Sequence, residues 1–412
     1  MRKRIVVFIL FITMLAPTPL AATPTASTAS FCPTLPGPTG PTVTVSTEAA
    51  LRAQAYSAAS GTTILVQAGT YAMQDFVHIV HSAITLRGAT GNRDDVILDF
   101  GGMTSGYFGV MVSADDVTIA DLTIRNTTDH GVSIQGVDRP VLYNLHIVDA
   151  NDQLVKVNPE GDGSDDGLLA CSLLEYTTTA PDDYTNGISA HDAHGWTVRD
   201  NTWKRIRTST GTPVPTILFW SSSSDTIVER NVLLDCSQGI AFGNSSQTGI
   251  NHTGGIVRNN VIYASAPHDV MIEMIRSTGW LVAHNTVIGL APSGGLTWGM
   301  EARFSESQGT FAYNLTNMDI EHTRDGAQGT VTGNITDAQT TWFVNPGSGD
   351  MHLRASATPA IDHAAVLTEV PTDIDGDVRP IGTAPDVGAD EASLDPPQPL
   401  VPWAYLPLVV RQ

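Results

Sequence analysis

A short pattern recurs nine times along the chain: alternating apolar residues, one Asn, Asp or Ser, and then a further apolar pair. Examples are WTVRDNTW at 196–203, TIVERNVLL at 226–234 and WLVAHNTVI at 280–288. The polar residues of the nine copies are Asp121, Asn144, Ser172, Asn201, Asn231, Asn260, Asn285, Asn314 and Asn334. Successive members are 20 to 30 residues apart, a spacing typical of one coil of a solenoid. The repeat therefore predicts a fold built from stacked coils.

Each repeat contains short runs of period two, rich in Val, Ile, Thr and Leu, separated by Gly, Asp, Asn and Ser turns. No helix-length pattern lies between these runs, which excludes a fold of alternating strands and helices. An Asn at a turn can adopt the left-handed conformation and hydrogen-bond the backbone of the next coil. The pattern predicts an all-β, single-stranded parallel β-helix with a ladder of such residues along its length.

The two ends of the repeat carry further signals. Residues 48–59 have a helical pattern, followed by GTTILVQAGTY at 61–71 and ITLRG at 84–88; the far end reads DIDGDVRPIGTAPDVGADE at 373–391. Through these segments the chain resembles the right-handed parallel β-helix proteins of the pectate-lyase-like superfamily over residues 42–391. The resemblance implies the fold and an N-terminal capping helix. It does not imply one chemistry, because this superfamily includes lyases, hydrolases, epimerases and adhesins.

The flanking segments predict export. Residues 1–22 have the basic, apolar and small-residue order of a signal peptide, and residues 23–41 form a Pro/Thr/Ser-rich segment expected to be disordered. Residues 392–412 read as a Pro-rich linker and an apolar tail. The tail resembles sorting or surface-attachment tails of secreted bacterial proteins, or it is a strand docked on the last coil. We expect an extracellular monomer without a membrane span.

Charge and cysteine content exclude several classes of protein. The formal net charge of -21 argues against nucleic acids and anionic membrane surfaces as partners. Three cysteines do not form a disulfide framework, and Cys171 and Cys236 lie in apolar sequence, so both are expected to be buried thiols.

Strand alternation predicts which side chains reach the exterior. If Ile188 and Ala190 face the core, then Ser189 and His191 face outward. The same phase assigns Leu218 to the core and Phe219 to the surface. One outer face is thus predicted to display Lys156, His191, Phe219, Glu273, Glu301 and Arg303 on successive coils. Such a column suits an extended polymer.

His191 and Lys156 are the candidate catalytic residues on this face. An exterior imidazole beside Lys156 and Glu175 could act as a general base, since its ordinary pKa suits proton transfer near neutrality. The alternative is an exposed strand residue that opens a turn. Arg207 either binds a uronate carboxylate or offsets nearby aspartates. His194, in the following turn, makes only a weak metal motif with His191.

Two acidic segments are candidate metal loops. The loop VNPEGDGSDDG at 157–167 contains Glu160, Asp162, Asp165 and Asp166, and calcium takes six to eight oxygen ligands in flexible geometry. The alternative is a solvated acidic turn. The second segment, DIDGD at 373–377, is assigned a structural role because it belongs to the terminal segment described above.

Aromatic residues separate into core and surface candidates. Trp196 and Trp280 occupy the apolar slot of the repeat and are predicted to be core, whereas Trp220 is the best platform for stacking on a sugar. The block DQLVKV, Glu175-Tyr176, TNGISAH, WTVRDN and ILFW is similar to segments of secreted bacterial β-helix proteins. This similarity adds Tyr176 to the candidate substrate-binding residues.

Three functions remain open from the sequence. The first is a polysaccharide lyase, with Lys156 or His191 as the base, and Arg207 or a calcium ion neutralising a uronate carboxylate. The second is a glycoside hydrolase of the polygalacturonase type, suggested by Asp165-Asp166 and His194-Gly195, although that family's Asn-Thr-Asp and Arg-Ile-Lys motifs are absent. The third is a non-catalytic carbohydrate-binding or cell-surface protein. We expect a secreted protein acting on an acidic glycan by β-elimination.

Overall fold

The computed structural model describes residues 32–101, 108–161, 163–181 and 184–392, and within them the chain winds into a parallel β-helix. Sheet 1 contains Thr42–Val45, Thr63–Val66, Thr85–Gly88, Thr118–Ala120, Val141–Tyr143, Leu168–Ala170, Thr197–Arg199, Ile227–Glu229, Ile256–Arg258, Ser277–Ala283, Gln308–Ala312 and Gln328–Thr332, with the short strands Ser164–Asp165, Ala193–His194, Ser223–Ser224 and His252–Thr253. Sheet 2 contains Gly69–Ala72, Val96–Asp99, Thr123–Arg125, His146–Val148, Leu173–Glu175, Thr202–Lys204, Val232–Leu234, Val261–Ala264, Thr286–Gly289 and Leu315–Thr316. Sheet 3 contains Val77–Ile79, Val110–Val112, Val132–Gln135, Val155–Asn158, Ile188–His191, Pro215–Trp220, Gln238–Phe242, Ile272–Ile275, Trp298–Arg303 and Asp319–Arg324.

Each coil visits sheets 1, 2 and 3 in turn, and each strand pairs in parallel with its counterpart on the next coil. The predicted fold class is therefore confirmed. The apolar side chains of the three sheets fill the interior: Ile188, Ala190, Trp196 and Trp280 all belong to one buried cluster, as the period-two pattern predicts. Opposite side chains project from the outer faces, so each sheet presents vertical columns of residues spaced by about 4.8 Å.

The predicted capping helix is present at Glu48–Ser57. Thr47 caps its N-terminus by accepting a hydrogen bond from the Ala50 amide (3.2 Å), while Leu51 and Ala55 are buried against the first coils. Short 3₁₀ helices occur at Ser293–Gly295, Thr340–Trp342 and Pro346–Ser348. Beyond the coils, an antiparallel pair of strands, Phe343–Asn345 and Asp350–Leu353, packs in a separate apolar cluster. Among the described residues, no helix is long and apolar enough to cross a membrane.

The polar residues of the repeat form the predicted ladder. Asn201 Oδ1 accepts from the Ser172 amide (2.9 Å), and Asn231 Oδ1 accepts from the Asn201 amide (3.2 Å). The same bond continues through Asn260, Asn285, Asn314 and Asn334. The backbone geometry differs from the prediction. Asp121 and Asn144 are left-handed themselves, but from Ser172 onward the preceding residue is left-handed, with φ between 50° and 59°. This shift of one residue turns the later ladder side chains into the interior.

Residues 32–41, for which the sequence predicts disorder, lie against sheet 1. Arg87 donates to the Pro36 carbonyl (2.8 Å), Tyr143 donates to the Pro33 carbonyl (2.5 Å), and Cys32 forms a disulfide with Cys171. The prediction of a free thiol is therefore wrong for Cys171, because the N-terminal segment brings Cys32 beside it. Cys236 is a buried free thiol, as predicted.

The terminal segment 373–391 packs along the side of the coils, where the Ala389 amide donates to the Thr286 hydroxyl (2.9 Å) and the Gly388 amide donates to the Tyr313 carbonyl (2.9 Å). Asp373 Oδ1 accepts from the amides of Asp375 (2.9 Å) and Asp377 (2.8 Å), and the buried ion pair Arg379–Glu391 (2.7 Å) joins the middle of the segment to its last residue. These bonds fit the structural role predicted for DIDGD. The signal-peptide region and the tail beyond residue 392 lie outside the described residues.

Candidate functional site

The outer face of sheet 3 carries a column of polar side chains. The strand register aligns Ser133 with Lys156 and Lys156 with Ser189, and further along the sheet Glu273 with Glu301. His191 is two residues beyond Ser189 and therefore lies in the neighbouring column, where it pairs with Trp220. Lys156 and His191 thus share one wall of the β-helix, as strand alternation predicts.

Lys156 and His191 are in direct contact. The Lys156 Nζ atom lies 3.0 Å from His191 Nε2 and 3.4 Å from the Ser189 hydroxyl, and the lysine is only 8% exposed. Burial lowers the pKa of Lys156 to about 8, although the charges of Asp152 and Asp129 act in the opposite direction. Burial and the lysine charge lower the pKa of His191 to about 4. The pair therefore consists of a neutral imidazole and an amine that loses its proton near pH 8.

An acidic group that the sequence analysis missed lies beside this pair. His130 Nδ1 is 3.1 Å from Asp129 Oδ1 and 3.8 Å from Asp152 Oδ2, and one potential ligand atom of each residue falls within 4.8 Å of the others. A signal for it exists in the sequence. Asp129 and Asp152 are 23 residues apart, as are Ser133 and Lys156, so both pairs occupy equivalent places on consecutive coils.

Comparison with known proteins agrees with this architecture. A family model described as the right-handed β-helix region matches residues 80–288. The chain belongs to this β-helix family. The solved structure of pectate lyase Pel9A is similar, with a TM-score of 0.58 and 14% identity over 83% of this chain and 90% of that chain. No curated protein matches the sequence.

Other solved β-helix structures are more distant. An alginate lyase from Paenibacillus sp. str. FPU-7 has a TM-score of 0.40 and 12% identity over 71% of this chain and 98% of that chain. The A-module of a mannuronan C-5 epimerase from Azotobacter vinelandii has a TM-score of 0.37 and 11% identity over 70% of this chain and 93% of that chain. The similarity to the pectate lyase, at 14% identity, establishes the β-helix fold and not an activity.

Phe219 is not on the outer face of the β-helix. It aligns with Ala190 and is fully buried in the core, whereas Leu218 aligns with Ser189 and takes the outward position. The prediction was wrong because the next turn is one residue longer than its counterpart, and Ser221 and Ser222 both adopt positive φ there. Trp220 remains on the outer face, edge-on to His191 with ring centroids 4.5 Å apart.

Glu175 and Tyr176 do not reach the Lys156 site. Glu175 lies on sheet 2, where it contacts His146 (3.1 Å) and Arg205 (2.8 Å). Tyr176 is buried in the core, and its hydroxyl bonds the Thr185 side chain and the carbonyl of residue 152. Of these two predicted site residues, Glu175 therefore lies on a different face and Tyr176 lies inside the coil.

The side chain of Arg207 is also engaged away from the Lys156 site. Its guanidinium donates to the backbone carbonyls of Asp235 (2.6 Å), Pro267 (2.6 Å) and Cys236 (3.4 Å), so it stabilises turns on neighbouring coils. It is not available as the predicted partner for a uronate carboxylate beside Lys156.

Glu273, Glu301 and Arg303 lie on the outer face of sheet 3, as predicted, but at its far end. Glu301 accepts hydrogen bonds from Arg324 (2.7 Å) and from the Trp298 indole (2.7 Å), and Arg303 pairs with Asp325 (2.6 Å). Four coils separate Glu273 from Lys156, a distance of about 19 Å. These residues form a second cluster rather than part of the first.

The predicted calcium loop is not gathered into one site by its described residues. Asp165 accepts from the His194 amide (3.3 Å), while Asp166 is a left-handed turn residue. Neither they nor Glu160 belong to the two described groups with metal-ligand spacing, which are Asp129, His130 and Asp152, and His352, Asp375 and Asp390. Asp162 lies outside the described residues.

Proposed function

We propose that this protein is an exported polysaccharide lyase that cleaves a uronate-containing glycan by β-elimination, with Lys156 as the base. The observation that carries the proposal is a buried lysine amine on the outer face of the β-helix, 3.0 Å from a neutral imidazole. A general base works best when its pKa is close to the working pH, and burial brings Lys156 to about 8. The pectate lyase with the same fold supports the choice of reaction class.

The reaction assigns a role to each neighbouring side chain. The neutral Lys156 amine removes the proton from the sugar carbon next to the uronate carboxylate. The electron pair left on that carbon forms a double bond to the adjacent ring carbon, whose bond to the glycosidic oxygen breaks. That oxygen takes up a proton from solvent water and leaves as a hydroxyl, and the Lys156 ammonium later returns its proton to solvent. His191 Nε2 accepts a hydrogen bond from the resulting ammonium, and Trp220, which is edge-on to His191, is the aromatic side chain next to this pair for contact with the sugar.

Calcium does not fit the donors beside Lys156. Calcium binds six to eight oxygens, and the adjacent group offers two carboxylates and one imidazole nitrogen. Calcium binding stays a prediction for the 157–167 loop, which includes Asp162. No step of the reaction is assigned to it.

The decisive experiment incubates the purified mature chain with polygalacturonate, alginate and a neutral glucan. We expect ultraviolet absorbance from an unsaturated uronide with one of the two acidic polymers and none with the glucan. New reducing ends without absorbance would instead identify a hydrolase. Binding without any product from either acidic polymer would refute the lyase and favour the carbohydrate-binding alternative.

A further inference from the structure

The group Asp129, His130 and Asp152, here called the histidine–aspartate group, has an imidazole at its centre. His130 is 9% exposed, and among the residues that the structure describes its Nδ1 atom has no hydrogen-bond partner of acceptable geometry, although it lies 3.1 Å from Asp129 Oδ1. Buried polar atoms are almost always hydrogen-bonded, so an unbonded ring nitrogen facing two carboxylates calls for a ligand. The ring is also held in place, because it stacks on Phe108 with 5.6 Å between centroids and 21° between planes.

The identity of the donor atoms selects the ligand. An imidazole nitrogen suits zinc and similar transition ions, whereas calcium and magnesium prefer oxygen donors throughout. Zinc takes nitrogen and carboxylate oxygen ligands at about 2.0 to 2.2 Å, and catalytic zinc sites have three protein ligands with one open position. The two distances from His130 Nδ1, 3.1 and 3.8 Å, are close to the separation of neighbouring ligands around one such ion. We propose that the histidine–aspartate group binds a divalent cation of the zinc class in preference to calcium.

The charge of such an ion also explains how an acidic substrate could approach Lys156. This step rests on the proposed function. Asp129 and Asp152 place two negative charges next to the base, and a uronate carboxylate arriving there would be repelled. A dication held by the group cancels these two negative charges. Its open coordination position is then the natural place for the carboxylate oxygen of the substrate.

The test measures metal binding without any substrate. The chelator-treated full chain is titrated calorimetrically with zinc and, separately, with calcium. We expect one equivalent of zinc at this site, bound at least about 100-fold more tightly than calcium. His130→Gln should remove that equivalent or weaken it by more than about 100-fold, since one of three direct protein ligands is lost and the loss of an outer-shell partner alone costs about 10- to 100-fold.

Two further variants make the result specific. His130→Asp converts the group to oxygen donors only, and we expect its preference to move toward calcium. His352→Ala removes the imidazole of the other histidine–aspartate cluster and must leave the His130-dependent equivalent unchanged. Circular dichroism and the melting temperature establish that each variant is folded.

The proposal is overturned if the wild-type chain binds no zinc equivalent that depends on His130, or if calcium occupies this site as tightly as zinc. Because no polysaccharide is present, these outcomes are separate from the lyase question. Zinc binding without β-elimination would refute the proposed function alone, and β-elimination without His130-dependent zinc binding would refute the metal site alone.

Discussion

The outer face of sheet 3 carries two clusters of charged residues, about 19 Å apart, that differ in how completely their charges are paired. At the far cluster, both oxygens of Glu301 are bonded to Arg324 (3.0 and 2.7 Å), and Gln238 donates to Glu273 at 2.6 Å. At the near cluster, Lys156 has, among the described residues, one imidazole and one hydroxyl within hydrogen-bonding distance. Equivalent positions on one wall therefore have different chemical availability.

This difference decides which cluster can act on a substrate. Glu301 is fully buried, and its carboxylate is already neutralised by a cation, so a hydrolytic role for the carboxyl pair would require that ion pair to open. Lys156 is desolvated, and its contacts among the described residues are with the uncharged side chains of His191 and Ser189. Both clusters point outward, as a catalytic group must. The near cluster differs because its amine is not already paired with an opposite charge in the described part of the chain.

Replacing Lys156 should have the largest effect on activity. We expect Lys156→Ala to reduce kcat for β-elimination by about 100- to 10,000-fold, the usual contribution of a general base. Lys156→Arg should be equally impaired, because a guanidinium keeps the charge but does not deprotonate in proteins. Initial rates of ultraviolet absorbance measure both.

Glu273→Gln is the matched control from the far cluster, and we expect its rate to stay close to that of the wild-type protein. If the arginine variant retained full activity, the lysine would act as a fixed cation and not as a base. If Glu273→Gln were as impaired as Lys156→Ala, the two clusters would not be functionally distinct.

Folding stability should depend more on the far cluster than on the near cluster, the reverse of their order for activity. Glu301→Ala leaves the Arg324 guanidinium and the Trp298 indole without their acceptor, and we expect a loss of about 3 kcal/mol in the free energy of unfolding. Lys156→Met should change it by less than about 1 kcal/mol, because it removes a poorly compensated buried charge. Urea denaturation followed by circular dichroism gives both values.

Glu321→Ala is the control for the first of these variants. Glu321 aligns with Glu301 on the next strand, but within the described part of the chain its carboxylate accepts hydrogen bonds from the amide and hydroxyl of Thr323 alone. Its loss should therefore lower the free energy of unfolding by no more than about 1 kcal/mol. If both glutamate variants lost the same free energy of unfolding, the bonds of Glu301 to Arg324 and Trp298 would not contribute to stability as described.

The sequence predicts the scaffold better than it predicts the site. Coil length, strand alternation and the ladder of asparagines are local patterns that repeat, so they establish the β-helix and the outward direction of Lys156 and His191. Phe219 was placed wrongly because one added turn residue reverses the phase of a strand, and no pattern inside the strand reports it. The Cys32–Cys171 bond joins residues 139 apart in sequence, and it depends on where a segment without a repeat lies.

The histidine–aspartate group illustrates a different limit. Asp129, His130 and Asp152 belong to turns, whose sequences vary from coil to coil, and no single segment contains a metal motif. Only the common spacing of 23 residues links them, and it becomes informative after the register of the coils is known. The 157–167 segment is the more visible candidate in the sequence because its carboxylates are adjacent along the chain, whereas Asp129 and Asp152 are stacked on consecutive coils.

The pH dependence of the rate should report on the near cluster. Lys156 is active only when deprotonated, and its pKa is lowered to about 8. We therefore expect kcat/KM to rise about tenfold per pH unit below pH 8 and to level off above it. The Glu273→Gln variant should show the same rise in kcat/KM below pH 8. A profile that is flat between pH 6 and 9, or that rises near pH 4, would point to a carboxylate or to His191 as the base.

The smallest expected effect is the pH dependence of stability, in which the two clusters should have opposite signs. Burial, followed by the neighbouring Glu301, raises the pKa of Glu273 well above 4.5, so the folded chain holds a proton that the unfolded chain releases, and stability falls as pH rises through this range. For Lys156 the folded pKa is the lower one, so stability rises between about pH 8 and 10.5. The free energy of unfolding of Glu273→Gln, relative to that of the wild-type protein, should therefore increase as the pH is raised from 5 to 8, by an amount on the order of 1 kcal/mol. The free energy of unfolding of Lys156→Met, relative to that of the wild-type protein, should decrease between pH 8 and 10. Urea midpoints for both variants at pH 5, 8 and 10 test this, and parallel slopes would show that the two clusters do not titrate as their surroundings predict.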